Sequence, residues 1–235
     1  TGGTLIVLWE PSLLLNFGES PDLLAECLLE SWGIQLGGDI IVDLVGQQYM
    51  QQPYMAVGTE LASHQITNSI RDDNLATFFF TTRTIRVAKE IEGITQTELI
   101  RTSTDSWAET NLQGLIDQQD PVFDEADQQG PLPLSVAAVN SASAARLVVV
   151  GDADFASDSS YSAYGNSDFI VNAIDWAVGQ EDIISLTAKE TTARSLTLTP
   201  TTYTMGLLFL ISVIVLPVGS LVLGVVAFVY RRRRG

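Results

Sequence analysis

This 235-residue chain has one cysteine, one histidine and a shortage of positive charge. A single thiol, Cys27, excludes an internal disulfide and any cysteine-rich metal centre. A relay that needs a histidine base has only His64 to use. No G-x-S-x-G occurs to present a nucleophile on a strand-to-helix turn. Neither GxxxxGK[ST] nor a GxGxxG after a strand occurs, so an ATPase working with this chain would be a separate chain. Lys and Arg total 12 against 28 Asp and Glu, a net charge of −16. All 28 acidic residues but only eight of the basic ones precede Met205, leaving residues 1–204 at −20. That balance excludes nucleic-acid binding through phosphate charge, which needs clustered Lys and Arg. It also opposes adhesion to anionic lipid heads. Solubility, or a salty medium, accounts for the acidity without a specific basic partner.

One stretch lacks charge altogether. Met205 to Tyr230 holds 26 positions without Asp, Glu, Lys, Arg or His, and Arg231, Arg232, Arg233 and Arg234 follow at once. About 20 helical residues cross a bilayer core, so this run predicts one C-terminal transmembrane helix. A buried core helix would be shorter and would not end on a basic stop. The arginines set the topology: they belong on the cytoplasmic side, and everything before Met205 lies outside, at the cell (inner or plasma) membrane. The opening Thr1-Gly2-Gly3-Thr4 is neither an initiator Met nor a signal sequence. An exported domain without an export signal leads us to expect a missing N-terminal portion. The expected organisation is an extracytoplasmic α/β domain over 1–190, a Thr-rich linker over 191–204, the membrane helix over 205–230 and a basic tail over 231–235.

Within the first 190 residues, Thr4–Leu8 (TLIVL) reads as a buried strand. Ser20 and Pro21 read as the N-cap and first position of a helix that ends at Gly33. Cys27 falls among Leu23, Leu24 and Leu28 and is expected to be a small buried residue. Ile40–Leu44 gives a second strand, and strand–helix–strand over this span predicts a parallel unit. Further strands are read at 77–81, 83–87, 98–103, 134–140 and 146–151, the last two neighbours across the turn at 141–145. An amphipathic helix is expected over 169–178 and an edge strand over 182–188. Gln113 to Gly130 is polar and acidic, an exposed excursion.

Val150-Gly151-Asp152-Ala153-Asp154 follows a strand, where ligands bind in open α/β sheets. Asp152 and Asp154 have the spacing to hold a hard cation such as Mg²⁺. With no third ligand identifiable we read them as caps on backbone amides in the turn. His64 reads as a structural or surface residue; Trp107 and Glu109 could touch a ligand, though a Trp is more often core. No catalytic, cofactor or metal residue is assigned.

Several segments resemble one family. TGGTLIVLWEP, ESWGIQL, IIVDL, HQIT and TSTDSWAET, then VVVGDADFAS, NSDFIVNAIDWAVGQEDIISL and an LTLT linker, are similar in order and spacing to the GldG-type family. That family is the gliding-motility-related auxiliary component of an uncharacterised ABC transport system. His64 matches the family's histidine, with Gln65 where proline usually follows. The resemblance implies a Rossmann-like, mostly parallel α/β ectodomain without a catalytic triad. It also implies partners: a permease, a separate ATPase and the lipid bilayer. The expected function is a membrane-anchored, non-catalytic accessory subunit. The alternatives are a metal-dependent hydrolase using Asp152 and Asp154, or a tethered glycan- or solute-binding module with Phe155, Tyr161 and Tyr164 as aromatic faces.

Overall fold

A computed structural model of the chain describes residues 2–11, 22–117, 119–179 and 209–219, together with 224 and 232. The chain divides into two units, Thr1–Thr187 and Ala188–Gly235. The first unit begins with β1 (Thr4–Leu8), α1 (Leu23–Trp32), β2 (Ile34–Leu36), β3 (Ile40–Asp43) and α2 (Leu44–Met50). It continues through β4 (Met55–Gly58), β5 (Glu60–Leu61), α3 (Asn68–Asp72), β6 (Thr77–Phe80) and β7 (Ile85–Val87). Then come β8 (Ile94–Arg101), β9 (Ser106–Glu109), α4 (Leu112–Ile116), β10 (Gln128–Gln129), β11 (Pro133–Asn140) and β12 (Arg146–Val150). A 3₁₀ turn at Asp154–Ala156 leads to α5 (Asn166–Ala177).

The main sheet has the order β1-β12-β11-β8-β5. Smaller sheets join β10-β9-β3, β2-β7 and β4-β6. Among the described residues only β1 and β12 run parallel, and every other strand pair is antiparallel. This corrects the expected Rossmann-like, mostly parallel sheet. The strand–helix–strand reading failed because β1 and β3 lie in different sheets. The parallel neighbour of β1 is instead β12, well over a hundred residues later, while α1 runs straight into β2 and its pairing with β7.

β11 and β12 are central and apolar on both faces, as a fully covered sheet requires. Val148 and Val150 join one core cluster with Phe79, Phe155, Phe169 and Ala173. Leu147 and Val149 point the other way, into a cluster with Leu28, Ile34 and Ile85. Helix α5 therefore covers one face, and α1 with the β2–β7 ribbon covers the other, giving three layers.

Gly33 ends α1 as expected, left-handed at φ 67° with its amide on the carbonyls of Leu28 and Leu29. The start differs. Asp22 is the cap, its carboxylate accepting from Ala25 N at 2.9 Å, while Ser20 and Pro21 lie outside the described residues. Cys27 is exposed, against expectation, because the buried stripe of α1 runs Leu24, Leu28, Trp32 at four-residue spacing. Two buried polar side chains tie elements together. Asp43 caps α2 through Val45 N and reaches Val57 N of β4 at 2.8 Å. Asn166 bonds both the amide and the carbonyl of Phe78 and the carbonyls of Phe155 and Ser160.

In the second unit, residues 209–219 are helical, with a π-helical stretch at Leu210–Val215. Among the described residues no helix is long and apolar enough to cross a membrane, which corrects the expected C-terminal transmembrane helix. The edge strand expected over 182–188 and the linker over 191–204 lie outside the described residues.

Candidate functional site

The parallel pairing of β1 and β12 builds the site. Leu8 stands opposite Val150, and Trp9 N donates to the Val150 carbonyl at 2.9 Å. Both strands then end, and the residues that follow leave the sheet side by side. Glu10 thereby meets Asp152 and Asp154, with one carboxylate oxygen of each lying within 4.8 Å of the others.

Asp152 is fully buried. Its Oδ2 accepts from Phe80 N and its Oδ1 from Asp154 N, both at 2.6 Å. Glu10 Oε1 accepts from Ala153 N at 2.7 Å. Glu10 Oε2 is buried and has no hydrogen-bond partner among the described residues. Burial pushes the Asp152 carboxyl up to about 7, with the charges of Glu10 and Asp154 adding to the rise and the two amides opposing it. Burial likewise raises Glu10, helped by Asp154 and opposed by the Ala153 amide. Near neutral pH the Glu10–Asp152 pair therefore carries a proton for much of the time. Asp152 accepts an amide within its own turn, from Asp154, and its reach is wider than that turn. Through Phe80 it also anchors the end of β6 to the end of β12.

Gly151 makes that approach possible. A Cβ there would collide with the Arg83 carbonyl oxygen, and Arg83 N donates to the Gly151 carbonyl at 3.1 Å. Gly151→Ala is expected to cost about 1–3 kcal/mol through overpacking. Urea denaturation of the full chain reads this as a lowered midpoint with an unchanged slope.

The other predicted site residues lie elsewhere. His64 accepts from Ile66 N through Nδ1 at 3.2 Å, and its ring stands edge-on to Trp176 of α5, 5.1 Å between centroids. Trp107 sits on β9 beside Phe123. Phe155 is fully buried between Phe79 and Phe169, so it offers no aromatic face to a ligand. Tyr161 and Tyr164 are exposed. Of the four arginines only Arg232 is described, as exposed; Arg231, Arg233 and Arg234 lie outside the described residues.

Glu10 is the member that sequence reasoning missed. Nothing local in Trp9-Glu10-Pro11 connects it to Asp152, and only the partner of β1 does so. A Glu directly after a buried strand was the one available signal. With it, three carboxylates converge where Asp152 and Asp154 alone offered two, and the set can hold either a proton or a hard cation.

No curated protein matches the chain. Among solved structures, the chain is similar to one described as "mmIFT52 N-terminal domain", at 18% identity and a TM-score of 0.43. The match covers 64% of this chain and 55% of that one. A family model described as an ABC-type uncharacterized transport system matches residues 1–173. That span agrees with the GldG-type resemblance, and the chain belongs to this family of ABC-type transport-system components.

Proposed function

We propose that this chain is a non-catalytic accessory subunit of an ABC-type transport system, whose α/β unit docks against a permease that works with a separate ATPase. One observation carries the non-catalytic part. The only histidine accepts from a backbone amide in its own turn and packs on Trp176, and both oxygens of Asp152 accept backbone amides. These groups are engaged in holding the fold, so neither His64 nor Asp152 is poised as the base of a nucleophile–base relay. Membership of the family supports the transport role. Affinity purification of the full chain in mild detergent should recover a permease and an ATPase in fixed proportion. Recovery of the chain alone, as a monomer, would overturn the reading.

The buried, unpartnered Glu10 Oε2 favours a second reading, in which the three carboxylates hold a hard cation. On that reading Mg²⁺, Mn²⁺ or Ca²⁺ raises the thermal midpoint of the full chain by several degrees, and Glu10→Gln removes the shift. Equal midpoints with and without each cation leave the carboxylates as a backbone clamp.

A further inference from the structure

Strand β9 has two faces of different character. By alternation Ser106 and Ala108 face the body of the domain, where Ala108 joins the main core, and Trp107 with Glu109 faces the other way. The acidic segment after α4 returns over that second face. Phe123 stands against Trp107, with 6.3 Å between centroids and 76° between planes, so the two rings form adjoining walls. Glu109, only 3% exposed, accepts from Trp107 Nε1 at 3.3 Å. Phe123 keeps half of its surface exposed, so part of the ring is open to solvent beside Trp107.

Two cavities of about 190 Å³ each open at this point. One is lined by Trp107, Phe123 and Asp105. The other is lined by Glu109, Asp120 and Asp124; along the chain Val122 and Asp124 line this one, and Phe123 between them lines the first. Carboxylates line both, and no Lys, Arg or His lines either. Tyr54 lies in the same field: burial raises its hydroxyl's pKa, and the charges of Asp120 and Glu109 raise it further.

We propose that the cavity walled by Trp107 and Phe123, with Asp105 in its lining, binds a small organic ammonium ion of the choline type. The electron-rich ring faces attract a cation, and a quaternary ammonium gives up its weak hydration cheaply. The carboxylates supply the opposing charge and steer cations toward the site from a unit that is strongly negative overall. A neutral sugar could stack on the same rings, but it would desolvate these carboxylates without compensating their charge. Charge therefore selects the ammonium. The site is remote in sequence from Glu10, Asp152 and Asp154, and it stands whether or not the chain docks to a permease.

The test is calorimetric titration of the full chain, in mild detergent, with choline chloride. Three probes run beside it: 3,3-dimethylbutanol, which is choline's neutral carbon analogue, glycerophosphocholine, and N-acetylglucosamine. Choline is expected to bind, its affinity falling as NaCl is raised, and the neutral analogue is expected not to. Phe123→Ala, at a half-exposed position, should weaken choline about fivefold to tenfold while leaving the urea midpoint close to that of the parent chain. Asp120→Asn with Asp124→Asn should weaken it and flatten the salt dependence. Binding of glycerophosphocholine as well as choline assigns the ion to a lipid headgroup, and binding of choline alone assigns it to a free solute. Equal binding of choline and its neutral analogue, binding of the sugar in place of choline, or no heat with choline at millimolar concentration would each overturn the proposal.

Discussion

Phe79→Ala is expected to lower stability by about 3–5 kcal/mol, a large share of the roughly 5–15 kcal/mol that holds a typical domain. Phe79 is fully buried on β6. Its ring lies 5.3 Å from that of Phe155 and 6.3 Å from that of Phe169, and those two are 5.7 Å apart. Removing it opens a void at the centre of three aromatic rings that cannot collapse without moving α5 or the 3₁₀ turn. That turn carries Asp154, and Phe80, the next residue on β6, donates to Asp152. The loss should therefore reach the carboxylates as well as the core. Urea denaturation of the full chain checks the magnitude, with Phe79→Leu expected to cost less than half as much. A change below 1 kcal/mol in Phe79→Ala would show that the trio does not pack as described.

The second large effect concerns pH, and its sign is opposite to that of a salt-bridged aspartate. The Asp152 carboxyl titrates near 7 in the folded protein against an ordinary 3.8. Between those values the folded chain binds a proton that the unfolded chain has released, so stability falls as pH rises. The contribution is complete below about pH 4, is lost through about pH 7 and stays lost above it. A shift of this size corresponds to something on the order of 4 kcal/mol. Glu10, Asp43 and Asp168 are also raised, chiefly by burial, and act in the same direction. The wild-type chain should therefore resist urea better at pH 5 than at pH 8. In Asp152→Asn the difference should narrow, since that titration is gone. The variant should also be weaker at pH 5, because its amide nitrogen faces one of the two backbone donors. A wild-type midpoint that rises with pH would contradict the buried, proton-sharing arrangement.

Segments that announce themselves locally were legible in the sequence. The apolar runs of β1, β11 and β12 and the amphipathic spacing of α5 follow from periodicity alone. The hairpin joining β11 to β12 follows from the short polar turn between them. Gly33 as a helix stop was equally plain. The choice of neighbour for each strand was not. TLIVL pairs as well with a parallel as with an antiparallel partner, and nothing near it names β12. The three-carboxylate site was hidden for the same reason, since Glu10 acquires meaning only from that pairing. Cys27 was misplaced by reading a leucine cluster rather than the four-residue stripe. Asn166, which bonds three separate segments, gave no local signal. An Asn at a helix start suggests a cap, and only the packed structure brings Phe78 to it.

The partnership of Thr4–Leu8 with Arg146–Val150 also imposes a schedule on synthesis. Translation at about 5–20 residues per second separates the two strands by roughly 7–28 s. Throughout that interval a ribbon of Leu, Ile and Val is out of the ribosome with no strand to lie against. Until β12 arrives the edge of that ribbon stays open to pairing with another chain, so misassociation is most accessible early in synthesis.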